Sequence, residues 1–134
     1  MTESALTDPT AARLAIHELV ARYNLSWDSE DVDGVLACFT PDGVFVDAAG
    51  GEHRGHDAIR AFVAASPASF GKMRHITSSH LVELLTDRTA RHRCYLVFVS
   101  HPAGARVLDT GEYEDAVELS EGSWRFTSRA VAFD

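Results

Sequence analysis

The hydrophobic pattern of this chain changes its period once, near residue 70, and that change limits the folds it can adopt. Before this point, apolar residues recur at helical spacing in three segments. After it come runs rich in β-branched and aromatic residues, at 74–85, 89–100, 106–119 and 123–132. Helices followed by a meander of strands predict an α+β domain, with three N-terminal helices packed on a strongly curved antiparallel sheet.

The helical part carries its own boundary signals. Asp8 can cap the first helix, and Pro9 fits its first turn. Asp31 is predicted to cap a short second helix, which the turn-forming residues 40–43 end. A short strand is predicted at 44–47, a glycine-rich connection at 48–55 and a third helix at about 57–65. A sheet that curls around these helices would enclose a concave cavity.

Length and charge narrow the class of protein. The chain has 134 residues, which predicts a single domain over 1–134, with residues 1–8 as a flexible N-terminus. Its formal net charge of -8 disfavours nucleic acid and anionic membranes as partners. No apolar run reaches the roughly 20 residues of a membrane span, so a cytoplasmic protein is expected. Cys38 and Cys94 lie in apolar stretches and are expected to be core residues without a disulfide.

Three residues suggest acid–base chemistry. Tyr23 lies on the apolar stripe of the first helix, Asp28 follows that stripe, and His75 begins the first long strand. If Asp28 meets His75, the carboxylate would select one imidazole tautomer and stabilise the protonated ring, as in a general-base dyad. A buried tyrosine hydroxyl beside a cavity can polarise a carbonyl group. A surface position for Asp28 remains an equal alternative.

The sequence leaves open the roles and orientations of several other polar residues. Asp47 ends the short strand and either serves as a second base or points outward. Strand alternation puts His75 on one face and His80 on the other. A zinc site is not expected from the remaining histidines, and nucleotide-binding motifs are absent from the sequence, so no cofactor and no metal are predicted. His17 is expected to face solvent and His101 to lie in a turn.

The sequence resembles the SnoaL-like family of the nuclear transport factor two-like superfamily over nearly its whole length. The resemblance rests on motifs in the same order, namely Tyr23 and Asp28 before Asp31, Phe39-Thr40-Pro41-Asp42, Gly55 with Ala58-Ile59 and Phe62, Arg74-His75, Gly111-Glu112-Tyr113-Glu114-Asp115, Gly122-Ser123-Trp124-Arg125-Phe126 and Arg129. It implies a cone-shaped, cystatin-like α+β barrel with an apolar pocket, in a protein that forms dimers or trimers.

The resemblance also implies roles for individual residues. Scytalone dehydratase, bile-acid dehydratase and hexachlorocyclohexane dehydrochlorinase are similar in placing an acid and a histidine at the positions of Asp28 and His75. The tyrosine of the bile-acid enzyme matches Tyr23, and the arginine of the dehydrochlorinase matches Arg129. Substrate-binding residues are expected at Trp27, Asp47, Phe62, Asp115 and Arg129, although plain strand alternation puts Arg129 opposite Trp124. Ketosteroid isomerase is similar in another way, with Tyr23 matching its oxyanion tyrosine, Asp47 its base and Asp115 its second acid.

These observations predict a cofactor-independent lyase that dehydrates a small hydrophobic hydroxy-carbonyl or polyketide-like molecule through Asp28 and His75. An isomerase or polyketide cyclase that uses Asp47 is the first alternative. A non-catalytic ligand-binding or dimerisation module is the second, because a fold by itself does not determine function. A homo-oligomer is expected in each case.

Overall fold

The computed structural model describes residues 8–66, 72–100 and 104–134. Its elements are α1 (Pro9–Asp28), α2 (Val32–Ala37), β1 (Phe39–Val46), β2 (Glu52–Arg54), α3 (Gly55–Ala65), β3 (Met73–Leu84), β4 (Thr89–Ser100), β5 (Arg106–Ser120) and β6 (Ser123–Phe133). The predicted α+β class is confirmed, with helices first and the long strands afterwards. The flexible N-terminus predicted over residues 1–8, apart from Asp8, and the turn predicted at His101 fall outside the described residues.

The first helix forms where its caps predict. The Asp8 carboxylate accepts a hydrogen bond from the backbone N–H of Thr10 at 2.9 Å, which satisfies one of the free donors of the first turn. The stripe that includes Ile16, Tyr23 and Trp27 is buried against the sheet. Asp31 caps α2 in the same way, through the N–H of Gly34 at 3.0 Å.

The sheet differs from the prediction in four details. Residues 40–43 continue β1 instead of forming a turn, and Glu52–Arg54 pairs with the end of β1 as a short strand. In the described part of the chain the strand order is β2-β1-β6-β5-β4-β3. β1 and β6 run parallel, so the sheet is mixed rather than antiparallel. It is also unclosed, with β2 and β3 at its edges, so it is a curved sheet and not a complete barrel.

Irregular pairing changes which residues face the helices. In β3 the pairing jumps from Ser78↔Tyr95 to Leu81↔Arg93, and in β6 an extra residue at Thr127 separates two pairs with β5. Such bulges bend a strand and reverse its alternation from that point onward. They decide the orientation of several polar side chains.

The core lies between the concave face of the sheet and the helices, and both cysteines are buried in it, as predicted. On the other face of the sheet, Tyr95 is 55% exposed. None of the helices in the described residues combines the length and apolarity that crossing a bilayer demands.

Candidate active site

Asp28 and His75 meet where the end of α1 lies over the start of β3. The Oδ1 atom of Asp28 is 2.8 Å from Nδ1 of His75, and the backbone N–H of His75 also donates to the carboxylate, at 3.1 and 3.2 Å. Each of the two side chains is only 9% exposed. Because an ionised carboxylate only accepts hydrogen bonds, Nδ1 carries the proton and the lone pair lies on Nε2.

His75 forms part of the wall of a cavity of about 180 Å³ between α1, α3 and the sheet. The remainder of the wall is mostly apolar and includes Trp27, Phe45, Phe62, Met73, Leu96 and Phe98. Tyr23, Tyr113 and Asp47 supply the main polar groups. Three residues predicted to bind substrate, Trp27, Asp47 and Phe62, therefore line the same cavity as His75. Such a mostly apolar hollow with a few converging polar groups is typical of a small-molecule site.

The two tyrosines of the cavity are each only 2% exposed, and their rings meet edge to face with centres 5.9 Å apart. Burial raises the pKa of Tyr113 well above its usual value. Burial raises the pKa of Tyr23 to about 12, although the positive charge of Arg129 opposes that rise. Both phenols therefore keep their protons at neutral pH and can donate a hydrogen bond to a ligand. Tyr23 stands beside His75, with their ring centres 6.4 Å apart and nearly perpendicular.

Arg129 lies behind these tyrosines and is not among the described residues that line the cavity. Its guanidinium carbon is 3.5 Å from the ring centre of Tyr113 and 4.3 Å from that of Tyr23. Nε approaches Oδ1 of Asp115 at 3.3 Å as an ion pair, without the geometry of a hydrogen bond. Burial alone would lower the pKa of Arg129, but Asp115 and the tyrosines more than offset this, so its pKa is raised and it stays charged.

The bulge at Thr127 explains why Arg129 faces inward. Without that extra residue, Arg129 would point away from Trp124 and Phe126, as strand alternation predicted. With it, Arg129 and Phe126 are both fully buried on the concave face. The prediction that Asp115 and Arg129 contact substrate is not supported by this geometry, because the pair supports the tyrosines from behind.

Asp47 forms a second acid–histidine pair at the cavity mouth. Its Oδ2 atom is 2.8 Å from Nε2 of His53, and its Oδ1 accepts the backbone N–H groups of Ala49 and Gly51. The hydrogen bonds from His53 and Gly51 lower the pKa of Asp47. Of the two alternatives that the sequence left open for Asp47, the structure therefore places it in the cavity wall, and the carboxylate is held ionised, which weakens it as a base.

A larger depression of about 470 Å³ lies on the sheet face turned away from the helices. Its rim carries exposed charged residues, among them Arg91, Arg93 and Glu114. Because His75, which Asp28 holds, and the two tyrosines line the smaller cavity, we assign the candidate active site there.

Sequence reasoning missed two members of this site, Tyr113 and His53. Tyr113 lies in β5, where buried residues alternate with more exposed ones, and its neighbour Glu114 is exposed. This alternation could have identified Tyr113 as a buried residue. His53 enters the site only because residues 52–54 pair with β1, a pairing for which the glycine-rich segment gives little local signal.

The curved sheet, the helices across it and the enclosed acid–histidine pair define a small α+β domain built around a ligand cavity. The chain belongs to the SnoaL-like family, because a family model described as a SnoaL-like domain matches residues 8–130. A search of curated proteins found no match.

Solved structures with the same fold include three similar proteins. The first is Rv3472 from Mycobacterium tuberculosis, a protein of unknown function, with 33% identity and a TM-score of 0.87 over 94% of this chain and 73% of the other. The second is a proposed aromatic ring hydroxylase from Novosphingobium aromaticivorans, with 30% identity and a TM-score of 0.84 over 94% and 91%. The third is a Nostoc punctiforme protein of unknown function with a cystatin-like fold, with 28% identity and a TM-score of 0.83 over 91% and 90%.

Proposed function

We propose that this protein is a cofactor-independent lyase that removes water from a small hydrophobic β-hydroxy carbonyl compound. The observation that carries the proposal is the 2.8 Å contact between Asp28 and His75 in the wall of an apolar cavity. The unpaired thiols Cys38 and Cys94 fit the reducing cytoplasm in which we propose that it works.

The reaction needs one group that first takes a proton and then returns it. Nε2 of His75 removes the proton next to the substrate carbonyl, while Asp28 stabilises the imidazolium that forms. The carbonyl oxygen becomes an enolate, to which the neutral phenol of Tyr23 donates a hydrogen bond. The imidazolium then protonates the departing β-hydroxyl, so that water leaves, a carbon–carbon double bond forms and His75 returns to its neutral state.

Arg129 contributes to this step without touching the substrate. Its charge rests on the faces of Tyr23 and Tyr113 and favours negative charge near their hydroxyl groups. The charge therefore makes each phenol a better donor to an enolate, a form of electrostatic preorganisation. We assign Arg129 as a positioning residue.

The cavity also limits the size of the substrate. A dry cavity of about 150 Å³ in another protein accommodates benzene, and this one measures about 180 Å³. We therefore favour a single-ring aromatic or alicyclic substrate over an extended polyketide chain. The rings of Trp27 and Phe62 are in edge contact, with their centres 6.4 Å apart, and together they form part of the wall against which such a ring would pack.

The proposal is tested by following proton transfer in deuterium oxide. Wild-type protein incubated with a panel of single-ring β-hydroxy ketones should accelerate exchange of the α-proton, and elimination to the enone, for at least one of them. Proton NMR records both events. Ligands that raise the melting temperature without any accelerated exchange would contradict the lyase and favour a binding module.

Asp47→Asn separates the lyase from an isomerase that uses Asp47 as its base. We expect turnover close to wild type, because His75 moves the proton; an isomerase would lose about 10²–10⁴ in rate. Folding lowers the pKa of Asp47. The pairing of its carboxylate with His53 therefore stabilises the fold at pH values above the unfolded pKa of about 3.9, and this stabilisation is lost as the pH falls through the lowered pKa. Urea unfolding as a function of pH should show a variant that is less stable at neutral pH but loses less stability in acid.

A further inference from the structure

A second cluster of ligating side chains lies on β3 and β4, beside the middle of α1. The imidazole and thiol donor atoms of His80, His92 and Cys94 all lie within 4.8 Å of one another. His17 on α1 lies beside this cluster, with its ring centre 4.9 Å from that of His80. His17 precedes Asp28 by eleven residues of helix, or about 16 Å. The cluster is therefore separate from the candidate active site.

A strand irregularity points His80 into this cluster. Ser78 pairs with Tyr95 and Leu81 with Arg93, so Ser79 and His80 together stand opposite Cys94. Ser79 adopts a φ of 58°, in the left-handed region that a residue with a side chain seldom occupies. Bulges and strained residues of this kind often re-aim a side chain at a functional site. Here the bulge moves His80 from the outer face, where strand alternation predicted it, to the inner face.

A carboxylate orients His92, as is usual for a histidine that binds a metal ion. Its Nδ1 lies 2.7 Å from Oδ2 of Asp115, and both side chains are completely buried. The carboxylate keeps the ring proton on Nδ1, so the lone pair of Nε2 points at Nδ1 of His80, 2.9 Å away. A carboxylate that orients the far nitrogen of a ligating histidine is the usual outer shell of a zinc site.

We propose that His80, His92 and Cys94 bind a divalent transition-metal ion of the zinc type, with water in the fourth position on the side of His17. Two imidazole nitrogens and one thiolate form a set that zinc favours and that magnesium and calcium do not. A tetrahedral zinc site holds its ligand atoms about 3.3–3.6 Å apart. Small side-chain rotations therefore suffice to bring the three ligand atoms to this spacing. The metal replaces the thiol proton of Cys94, and that proton leaves to solvent.

The test uses the full chain, stripped with a chelator and titrated with Zn²⁺ alone in a calorimeter. We expect one ion per chain. Co²⁺ in place of Zn²⁺ should give the intense visible bands of a tetrahedral site and a near-ultraviolet sulfur-to-cobalt charge-transfer band. Absence of binding, or a weak octahedral cobalt spectrum without the sulfur band, would overturn the proposal.

Matched variants locate the site. Cys94→Ser should remove the sulfur band, whereas Cys38→Ser, at a buried thiol outside the cluster, should retain it. His80→Gln, at a partly exposed position, should weaken Zn²⁺ binding at least tenfold, whereas His56→Gln should not. Circular dichroism verifies the fold of each variant, and if Cys94→Ser does not fold, the histidine pair decides. Equal loss in His80→Gln and His56→Gln would refute the assignment.

Discussion

His75→Gln should lower the rates of α-proton exchange and elimination by about 10²–10⁴, the usual contribution of a general base. Glutamine keeps a polar side chain of similar length but has no nitrogen that can take a proton near neutral pH. The fold should survive, because the backbone N–H of residue 75 still donates to Asp28 at 3.1 Å. Deuterium exchange by NMR, with the best substrate of the wild-type panel, measures the loss.

His56→Gln provides the matched control for this experiment. His56 is partly buried and contacts the carbonyl oxygen of Phe39 at 3.2 Å, but it is not among the described residues that line the cavity. It should retain wild-type exchange. Undiminished exchange in His75→Gln would show that another group moves the proton. An equal loss in both variants would show that the assay reports stability instead of chemistry.

The contact between Asp28 and His75 could be predicted because it depends on regular structure. Helical spacing sets where α1 ends, strand alternation sets which way residue 75 faces, and both rules hold locally up to that point. The three long strands after β3 obey the same rule over most of their length. Local signals of this kind also placed the caps at Asp8 and Asp31.

Predictions failed where strand pairing becomes irregular. The bulge beside Ser79 turns His80 inward, and the extra residue at Thr127 turns Arg129 inward. A one-residue shift reverses every later side chain of a strand, and it depends on the partner strand, which local sequence does not reveal. The parallel pairing of β1 with β6 is another long-range choice, since it joins the first strand to the last.

These irregularities create one connected polar network in the core. His92 contacts Asp115, Asp115 pairs with Arg129, and the guanidinium of Arg129 covers Tyr113 and Tyr23. The network reaches the cavity through the tyrosines and the proposed metal cluster through His92. Buried charges are costly when unpaired. The effect of each of these residues on stability therefore depends on its neighbours more strongly than that of a surface residue does.

Arg129→Met should destabilise the fold by about 3–5 kcal/mol, the cost of leaving a buried charge without its partner. Both members of the pair are completely buried, so the Asp115 carboxylate would keep His92 as its remaining close partner among the described residues. A domain has only about 5–15 kcal/mol of total stability, so this single change removes a large part. Urea unfolding followed by circular dichroism, with the m value compared between proteins, measures the loss.

Two further variants show whether the cost arises from the unpaired charge or from lost packing. Asp115→Asn combined with Arg129→Met removes both charges, while the asparagine oxygen still accepts from His92, so the double variant should be more stable than the sum of the single effects by about 1–3 kcal/mol. Arg60→Met breaks an exposed pair with Asp33 and should cost at most about 1 kcal/mol. Additive effects at Arg129 and Asp115 would show that the guanidinium stabilises the core by stacking on the tyrosine rings and not by neutralising Asp115.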